Sequence, residues 1–318
     1  MRLQFRWWVQ ALRCLIGGKL AGGSVGDGSP ASPTGANENQ QLVHSMTQQA
    51  TQTLSASQKC MRFMLDELFE LDRLNHWYFS TRWILPRSIV RQGDLMPPAI
   101  LCVVPHGVLP LGVSAAVSRV LGGRLARFAA APVLFKVWGI SKFLKKLGTY
   151  PAGKQGVVEC LRAGDHAGLL LDGIPGMFHS AGPHGDEALW LQQRKAICAI
   201  ALQAGAPIVP AYCFGQSELW RVVDPLAGLL KRLSTWLDVS LTPFFGRWWL
   251  PFGPPARRPL LLCFGDPIPC GRPAAATGTR VSPAEVDAKH HELLEAYRQI
   301  FDTHKAAYGR PRAKLTIV

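Results

Sequence analysis

The chain has 318 residues, 48% of them apolar and ten of them tryptophan, enough for one large domain or two small ones around a real core. No stretch long enough to cross a bilayer is both uncharged and strongly apolar, so a spanning helix is not supported. The net charge of +14 suits an anionic membrane or a phosphate-bearing small molecule; without zinc-finger spacing, an RNA-binding Gly-Phe-x-Phe signature or a long Lys/Arg run, nucleic acid is disfavoured.

Residues 1–20 carry Arg2, Arg6, Arg13 and Lys19 and no acid. Phe5, Trp8, Leu12, Leu15 and Ile16 share one helical face, which predicts a short amphipathic segment lying in a membrane interface. A transit peptide also fits the arginines and the Ser/Thr-rich sequence behind them, and plain disorder fits equally well. A signal peptide fits less well, because Arg13 interrupts the apolar region. Residues 21–58, rich in Gly, Ser, Thr, Gln and Asn, read as a flexible linker.

A single catalytic domain is expected over 59–318. Met61, Met64, Leu65, Leu68 and Leu71 recur at helical spacing. Trp77-Tyr78-Phe79 and Trp83 then stand beside Arg82 and Arg87, a composition that suits a headgroup interface or core packing. From Ala99 onward strand-like runs at 99–104, 168–172, 207–213 and 259–264 alternate with helical patterns at 110–121, 135–147, 190–204 and 283–307. This alternation predicts an α/β fold with a central, mostly parallel sheet covered by helices. The eight cysteines (Cys14, Cys60, Cys102, Cys160, Cys198, Cys213, Cys263, Cys270) never approach within seven residues of one another and mostly sit in apolar segments. They read as reduced core residues rather than as a disulfide or metal framework.

The first run matters most. Ala99-Ile100-Leu101-Cys102-Val103-Val104 is an uncharged, β-branched stretch that reads as a buried strand, and Pro105-His106-Gly107 ends it. His106 is thereby placed at the C-terminal end of a central strand, where open α/β sheets carry their chemistry. The tripeptide by itself equally describes a capped strand end.

Four later segments bear on that choice: Arg194-Lys195-Ala196 ahead of Gly205-Ala206-Pro207; Phe214-Gly215-Gln216-Ser217-Glu218; Phe245-Gly246-Arg247; and Gly265-Asp266-Pro267, followed by the C-terminal helix through Tyr297. In this order and spacing the chain resembles the type-2 diacylglycerol acyltransferase family, which includes monoacylglycerol and wax-ester acyltransferases, over about residues 95–310. The resemblance implies a glycerolipid-acyltransferase-like fold, to which the amphipathic pattern of residues 1–20 adds an expected membrane-associating N-terminal segment. It also implies acyl transfer from acyl-CoA to a lipid hydroxyl, most simply diacylglycerol to triacylglycerol. A monoacylglycerol or long-chain alcohol acceptor, or a catalytically impaired lipid-binding paralogue, is the alternative.

The family's His-Pro-His-Gly block carries its catalytic histidine second, which is His106 here. An alcohol needs a base to take its proton, and imidazole titrates in the right range. Pro105 and Gly107 are expected to line the substrate, with backbone N–H groups near Gly107 and the following helix as oxyanion donors. Arg194 and Lys195 match a basic block expected to meet the CoA phosphates, with Lys154 and Arg247 as further candidates and Glu218 matching a family carboxylate. Acyl-CoA is a co-substrate, and no metal or resident cofactor is implied. The other partners are a neutral-lipid acceptor and a membrane surface, and a homo-oligomer is compatible with the resemblance. Localisation on the cytosolic face of the endoplasmic reticulum or on lipid droplets follows from it, with plastid targeting as the variant that residues 1–20 allow.

Three departures stand out. Val104 replaces the first histidine of the block, and Leu111 stands where broader glycerolipid acyltransferases place an aspartate. More seriously, Gly176 in Asp172-Gly173-Ile174-Pro175-Gly176 occupies the place of a family glutamate. Asp172 is the expected substitute, with a turn cap as its alternative role. The loop Phe244 to Pro255, containing Trp248-Trp249-Leu250-Pro251-Phe252, is either a membrane-dipping element or ordinary core. A serine esterase is disfavoured for want of a Gly-x-Ser-x-Gly elbow.

Overall fold

The computed structural model describes residues 76–92, 96–113, 126–146, 148–222, 243–271 and 281–318. The expected interfacial segment 1–20, linker 21–58 and helix 59–74 lie outside these residues.

The frame is a seven-stranded sheet in the order β1-β10-β7-β2-β5-β3-β4. Its strands are β1 (Arg82–Ile84), β2 (Ile100–Val104), β3 (Ala126–Ala130), β4 (Tyr150–Pro151), β5 (His166–Leu170), β7 (Ile208–Phe214) and β10 (Leu261–Phe264). Five of the six pairings are parallel, and the β10–β7 pair is antiparallel. This is the expected α/β architecture. Two separate two-stranded sheets accompany it: a parallel pair, β6 (Glu187–Leu189) with β11 (Leu315–Ile317), and an antiparallel pair, β8 (Arg221–Val222) with β9 (Phe244–Phe245).

β2 lies in the middle of the order, and all five of its residues are buried. Alternate side chains serve the two faces. Ile100, Cys102 and Val104 join one core cluster, while Leu101 and Val103 join the other. Burial on both sides is why the run is continuously apolar rather than alternating. β7, its neighbour, carries Pro210 one residue beyond the last β10 ladder pair, Phe264 with Ala211, where no further ladder donor is required and Pro210 O accepts Gly265 N–H.

Six described helices accompany the strands: α1 (Arg87–Gln92), α2 (Trp138–Lys146), α3 (Lys154–Arg162), α4 (Gly173–Met177), α5 (Ala196–Ala204) and α6 (Pro283–His304). α6 begins with a capping box between Ser282 and Glu285, and its buried Leu293, Tyr297, Ile300 and Phe301 pack toward the sheet. Phe301 meets Tyr212 and Phe214 at ring-centroid distances of 5.4 and 5.6 Å, and Tyr297 Oη donates to Cys102 O at 3.0 Å. α5 ends at Gly205, whose φ of 65° is the left-handed turn that favours glycine after a helix.

Several boundaries differ from expectation. The strand expected at 168–172 is His166–Leu170, which leaves Asp172 outside the sheet at the cap of α4. The helix expected from 190 starts at Ala196, because Leu191 O accepts Arg194 N–H in a tight turn first. Of the helix expected at 110–121, residues 110–113 form a turn and the rest lies outside the described residues. The six described cysteines are free and buried, as the composition predicted, and burial pushes their thiols up. Among the described residues, no helix is long and apolar enough to cross a membrane.

Candidate active site

β2 delivers His106 to the C-terminal edge of the parallel strands, two residues past its last ladder pair, Val104 with Tyr212. The imidazole is half-buried. Its Nδ1 lies 2.7 Å from Gly107 O. A carbonyl only accepts, so this contact puts the ring proton on Nδ1 and leaves the Nε2 lone pair bare. Burial lowers the imidazole pKa below its ordinary 6.5, partly offset by the hydrogen bond to Gly107, so the ring is neutral at physiological pH.

Gly107 makes that geometry possible. Its φ is +60°, and a Cβ there would fall 2.9 Å from Gln216 Nε2 and 3.0 Å from Gln216 O. The buried Gln216 side chain fastens the whole turn. Its Nε2 donates to His106 O at 3.2 Å and to Leu109 O at 2.5 Å, and its Oε1 accepts Gly112 N–H at 2.9 Å. Gln216 lies in the Phe-Gly-Gln-Ser-Glu block, yet nothing local in the sequence marks it as a clamp across 110 positions.

Asp172 is fully buried, and both its carboxylate oxygens accept the backbone N–H of His106 at 3.0 Å. It therefore holds the main chain of His106, not the imidazole that the sequence reading had it supporting. Burial raises its pKa to about 7; the His106 amide and its own backbone amide oppose the rise, Glu187 adds to it and His179 opposes it. Gly176 explains itself here: a Cβ at that position would fall 2.0 Å from Asp172 Oδ2. The Asp172 carboxylate fills the space above Gly176. Glu187, reached by His179 Nε2 at 3.1 Å and by the Ser217 hydroxyl, is a further buried polar group that sequence reasoning missed. Only the β6–β11 pairing and the turn after β7 bring these three together.

The cationic candidates are spread out. Arg194 is exposed and its Nη2 lies 3.2 Å from where a Cβ on Gly173 would stand, beside the Asp172 turn. Lys195 Nζ pairs with Asp287 at 2.8 Å on the open surface, a contact of small net worth that a phosphate could displace. Lys154 is exposed at the first turn of α3, beyond the C-terminal end of edge strand β4. Glu218 is bound by Arg310 at 2.9 Å and Arg258 at 3.7 Å, so its carboxylate ties the C-terminal segment to the loop before β10. Arg247 lies in the tryptophan-bearing loop, its guanidinium 4.5 Å from the Trp248 ring. Among the described residues, no hydrogen bond or ion pair joins Lys154, Lys195, Glu218 or Arg247 to His106 or Asp172.

A half-buried imidazole at a strand end, with its Nε2 unpartnered and its backbone held by a buried carboxylate and a buried side-chain amide, is equipped to accept a proton from an incoming hydroxyl. Comparisons with known proteins identify the family. The diacylglycerol acyltransferase family model matches residues 66–318, so the chain belongs to the diacylglycerol acyltransferase family and is an acyltransferase. It is 27% identical over 260 residues to human diacylglycerol O-acyltransferase 2-like protein 6, covering 73% of this chain and 74% of that protein. It is 24% identical over 263 residues to human acyl-CoA wax alcohol acyltransferase 2, with 74% and 75% covered. Among solved structures, the 1-acyl-sn-glycerophosphate acyltransferase PlsC from Thermotoga maritima is similar over 82% of this chain and 89% of its own, at 15% identity and a TM-score of 0.43.

Proposed function

We propose that the chain transfers the acyl group of acyl-CoA to the free hydroxyl of diacylglycerol, releasing triacylglycerol and CoA, with His106 Nε2 as the general base. The supporting observation is the Nδ1 contact with Gly107 O, which leaves Nε2 free to work. Nε2 takes the hydroxyl proton while the oxygen attacks the thioester carbonyl carbon. The resulting oxyanion needs a donor, and the Gly107 amide, which meets no acceptor among the described residues, is the nearest candidate. Collapse breaks the carbon–sulfur bond, and His106 returns its proton to the departing CoA thiolate. Asp172 and Gln216 are positioning residues: they hold the backbone on either side of the imidazole.

Arg194 and Lys195, with Lys154 next, are the side chains proposed to meet the CoA phosphates. No metal or resident cofactor enters this reaction. The acceptor reading extends to monoacylglycerol and long-chain alcohols, which present the same hydroxyl; a human relative is named for wax alcohol. The enzyme is proposed to work at a membrane surface, on the cytosolic face of the endoplasmic reticulum or on lipid droplets, with a plastid as the variant site. The impaired-paralogue reading rested on Gly176, and the Asp172 carboxylate above that glycine supports an intact site instead.

The test is an assay of membranes from cells lacking neutral-lipid synthesis, with a panel of acceptors and acyl-CoA. Wild-type protein is expected to form triacylglycerol, and His106→Ala to lower the rate about 10²–10⁴-fold. The acid limb of kcat/KM is expected below pH 6.5, following the lowered imidazole pKa. Full activity in His106→Ala would overturn the assignment.

A further inference from the structure

The loop between Phe244 and Pro255 turns its apolar side chains outward. Trp248, Trp249, Leu250 and Phe252 are 66%, 62%, 53% and 71% exposed within one short turn. Single exposed apolar residues are ordinary, but a contiguous group marks a contact surface. The turn is also built rather than slack. Gly246 N–H donates to Leu250 O, Arg247 N–H to Pro254 O and Phe252 N–H to Phe244 O, while Trp220 Nε1 donates to Gly253 O. Trp248, Trp249 and Phe252 hold φ of 60°, 58° and 53°, left-handed values that bulky residues keep only when their surroundings impose them.

Cations stand among these rings. The Arg247 guanidinium lies 4.5 Å from the Trp248 ring and that of Arg221 lies 4.7 Å from the Trp249 ring. Residues 243–259 also hold Arg257 and Arg258 and contain no acid. Tryptophan and phenylalanine beside arginine is the composition that settles at the headgroup level of a bilayer.

The turn sits at the catalytic end of the sheet. Leu261 opens β10 opposite Phe214, the last residue of β7, and β7 runs parallel to β2. The chain before β10 therefore lies at the same edge as His106. The two are also wired together: Gln216 donates to His106 O, and Ala256 N–H donates to Leu219 O at the end of the turn that Gln216 begins.

We infer that the Trp248–Phe252 turn docks on an anionic phospholipid leaflet and sets the His106 edge against it. Its purpose, presenting a bilayer-borne acceptor to His106, rests on the acyl-transfer reading above; the docking itself does not. Charge selects the occupant. A second copy of the chain carries +14, and residues 1–20 carry four cations and no acid, so either would bring like charge to these arginines. An anionic headgroup layer brings the opposite charge.

The test uses the full chain with an environment-sensitive fluorophore on Leu250→Cys, in a background where Cys14 and Cys60 are serine. Ala163→Cys, at the far end of the parallel strands, carries the control label. Mixing with vesicles of phosphatidylcholine plus phosphatidylserine is expected to raise the Leu250 signal, and spin-labelled acyl chains to quench it, with the control unchanged. Trp248→Ser/Trp249→Ser is expected to abolish the quenching, and Arg247→Gln to weaken the anionic-vesicle response about fivefold at low salt. A Leu250 label that stays unquenched, or that responds equally to pure phosphatidylcholine, overturns the proposal. A signal that follows protein concentration without vesicles assigns the turn to a second copy and overturns it too. Vesicle-free transfer from acyl-CoA to a water-soluble short-chain acceptor separates the two readings. It should survive in Trp248→Ser/Trp249→Ser; quenching without any transfer by the wild type would defeat the acyltransferase reading and leave the docking standing.

Discussion

His106 and Asp172 show how a residue's role depends on which of its atoms is held. The His106 ring bonds only to Gly107 O among the described residues, while Asp172 takes the amide behind it. Replacing Asp172 by asparagine keeps an acceptor for that amide but removes the titration. The folded pKa of Asp172 is raised to about 7 from 3.8, so the native state binds the proton more tightly than the unfolded chain. The carboxyl's contribution to stability is therefore full at low pH and is lost as pH rises through about 7. Relative to wild type, Asp172→Asn should gain stability between pH 5 and pH 8, by at most about 1.4 kcal/mol per pH unit. Urea unfolding at the two pH values checks this, and an equal difference at both would contradict it. Gly176→Glu, which the sequence suggests as a repair, should instead lower turnover, because its Cβ collides with the Asp172 carboxylate. Combining it with Asp172→Gly should recover part of the loss, measured as kcat in the same assay.

At the scale of elements, the turn after β2 is held by the turn after β7. Gln216→Ala removes three hydrogen bonds from the segment His106–Gly112 and leaves the buried Gly112 amide unpaired, at a cost of about 1–3 kcal/mol. Its expected signature is a fall in kcat larger than any rise in KM, since it displaces the base rather than a binding group. Steady-state kinetics over acyl-CoA concentration separate the two; a pure KM effect would assign Gln216 to binding. The strand that carries His106 was legible because β2 is buried on both faces and so has no polar residue to blur it. α3, β3 and the edge strand β4 were not, since most of their residues are polar or half-exposed and the strand partners lie at least twenty residues away in sequence. The run 168–172 takes in Asp172 because Gly-Leu-Leu-Leu has no local stop before it, whereas the strand itself lies two residues earlier, at His166–Leu170.

Over the whole molecule, the chain is closed by its C-terminal segment, which returns β11 to β6 and Arg310 to Glu218. Glu218 is mostly buried, with Arg258 as a second partner. Glu218→Gln should lower stability by about 1 kcal/mol through the loss of these ion pairs, since both arginines are partly exposed. Thermal melting should show the shift, and an unchanged Tm would mean the arginines find other partners. By itself the amino-acid sequence determined the alternating α/β pattern, the buried strand ending in Pro105-His106-Gly107, the C-terminal helix and the resemblance to acyltransferases. Each of these is written in short-range order: period, strand-ending residues and spacing. Only the tertiary structure decided that Asp172 holds a backbone amide, that its carboxylate occupies the space above Gly176, that Gln216 clamps the catalytic turn and that the tryptophan loop faces outward at the same edge. Those outcomes depend on contacts between residues far apart in the chain, and on which face is left uncovered once the sheet has assembled.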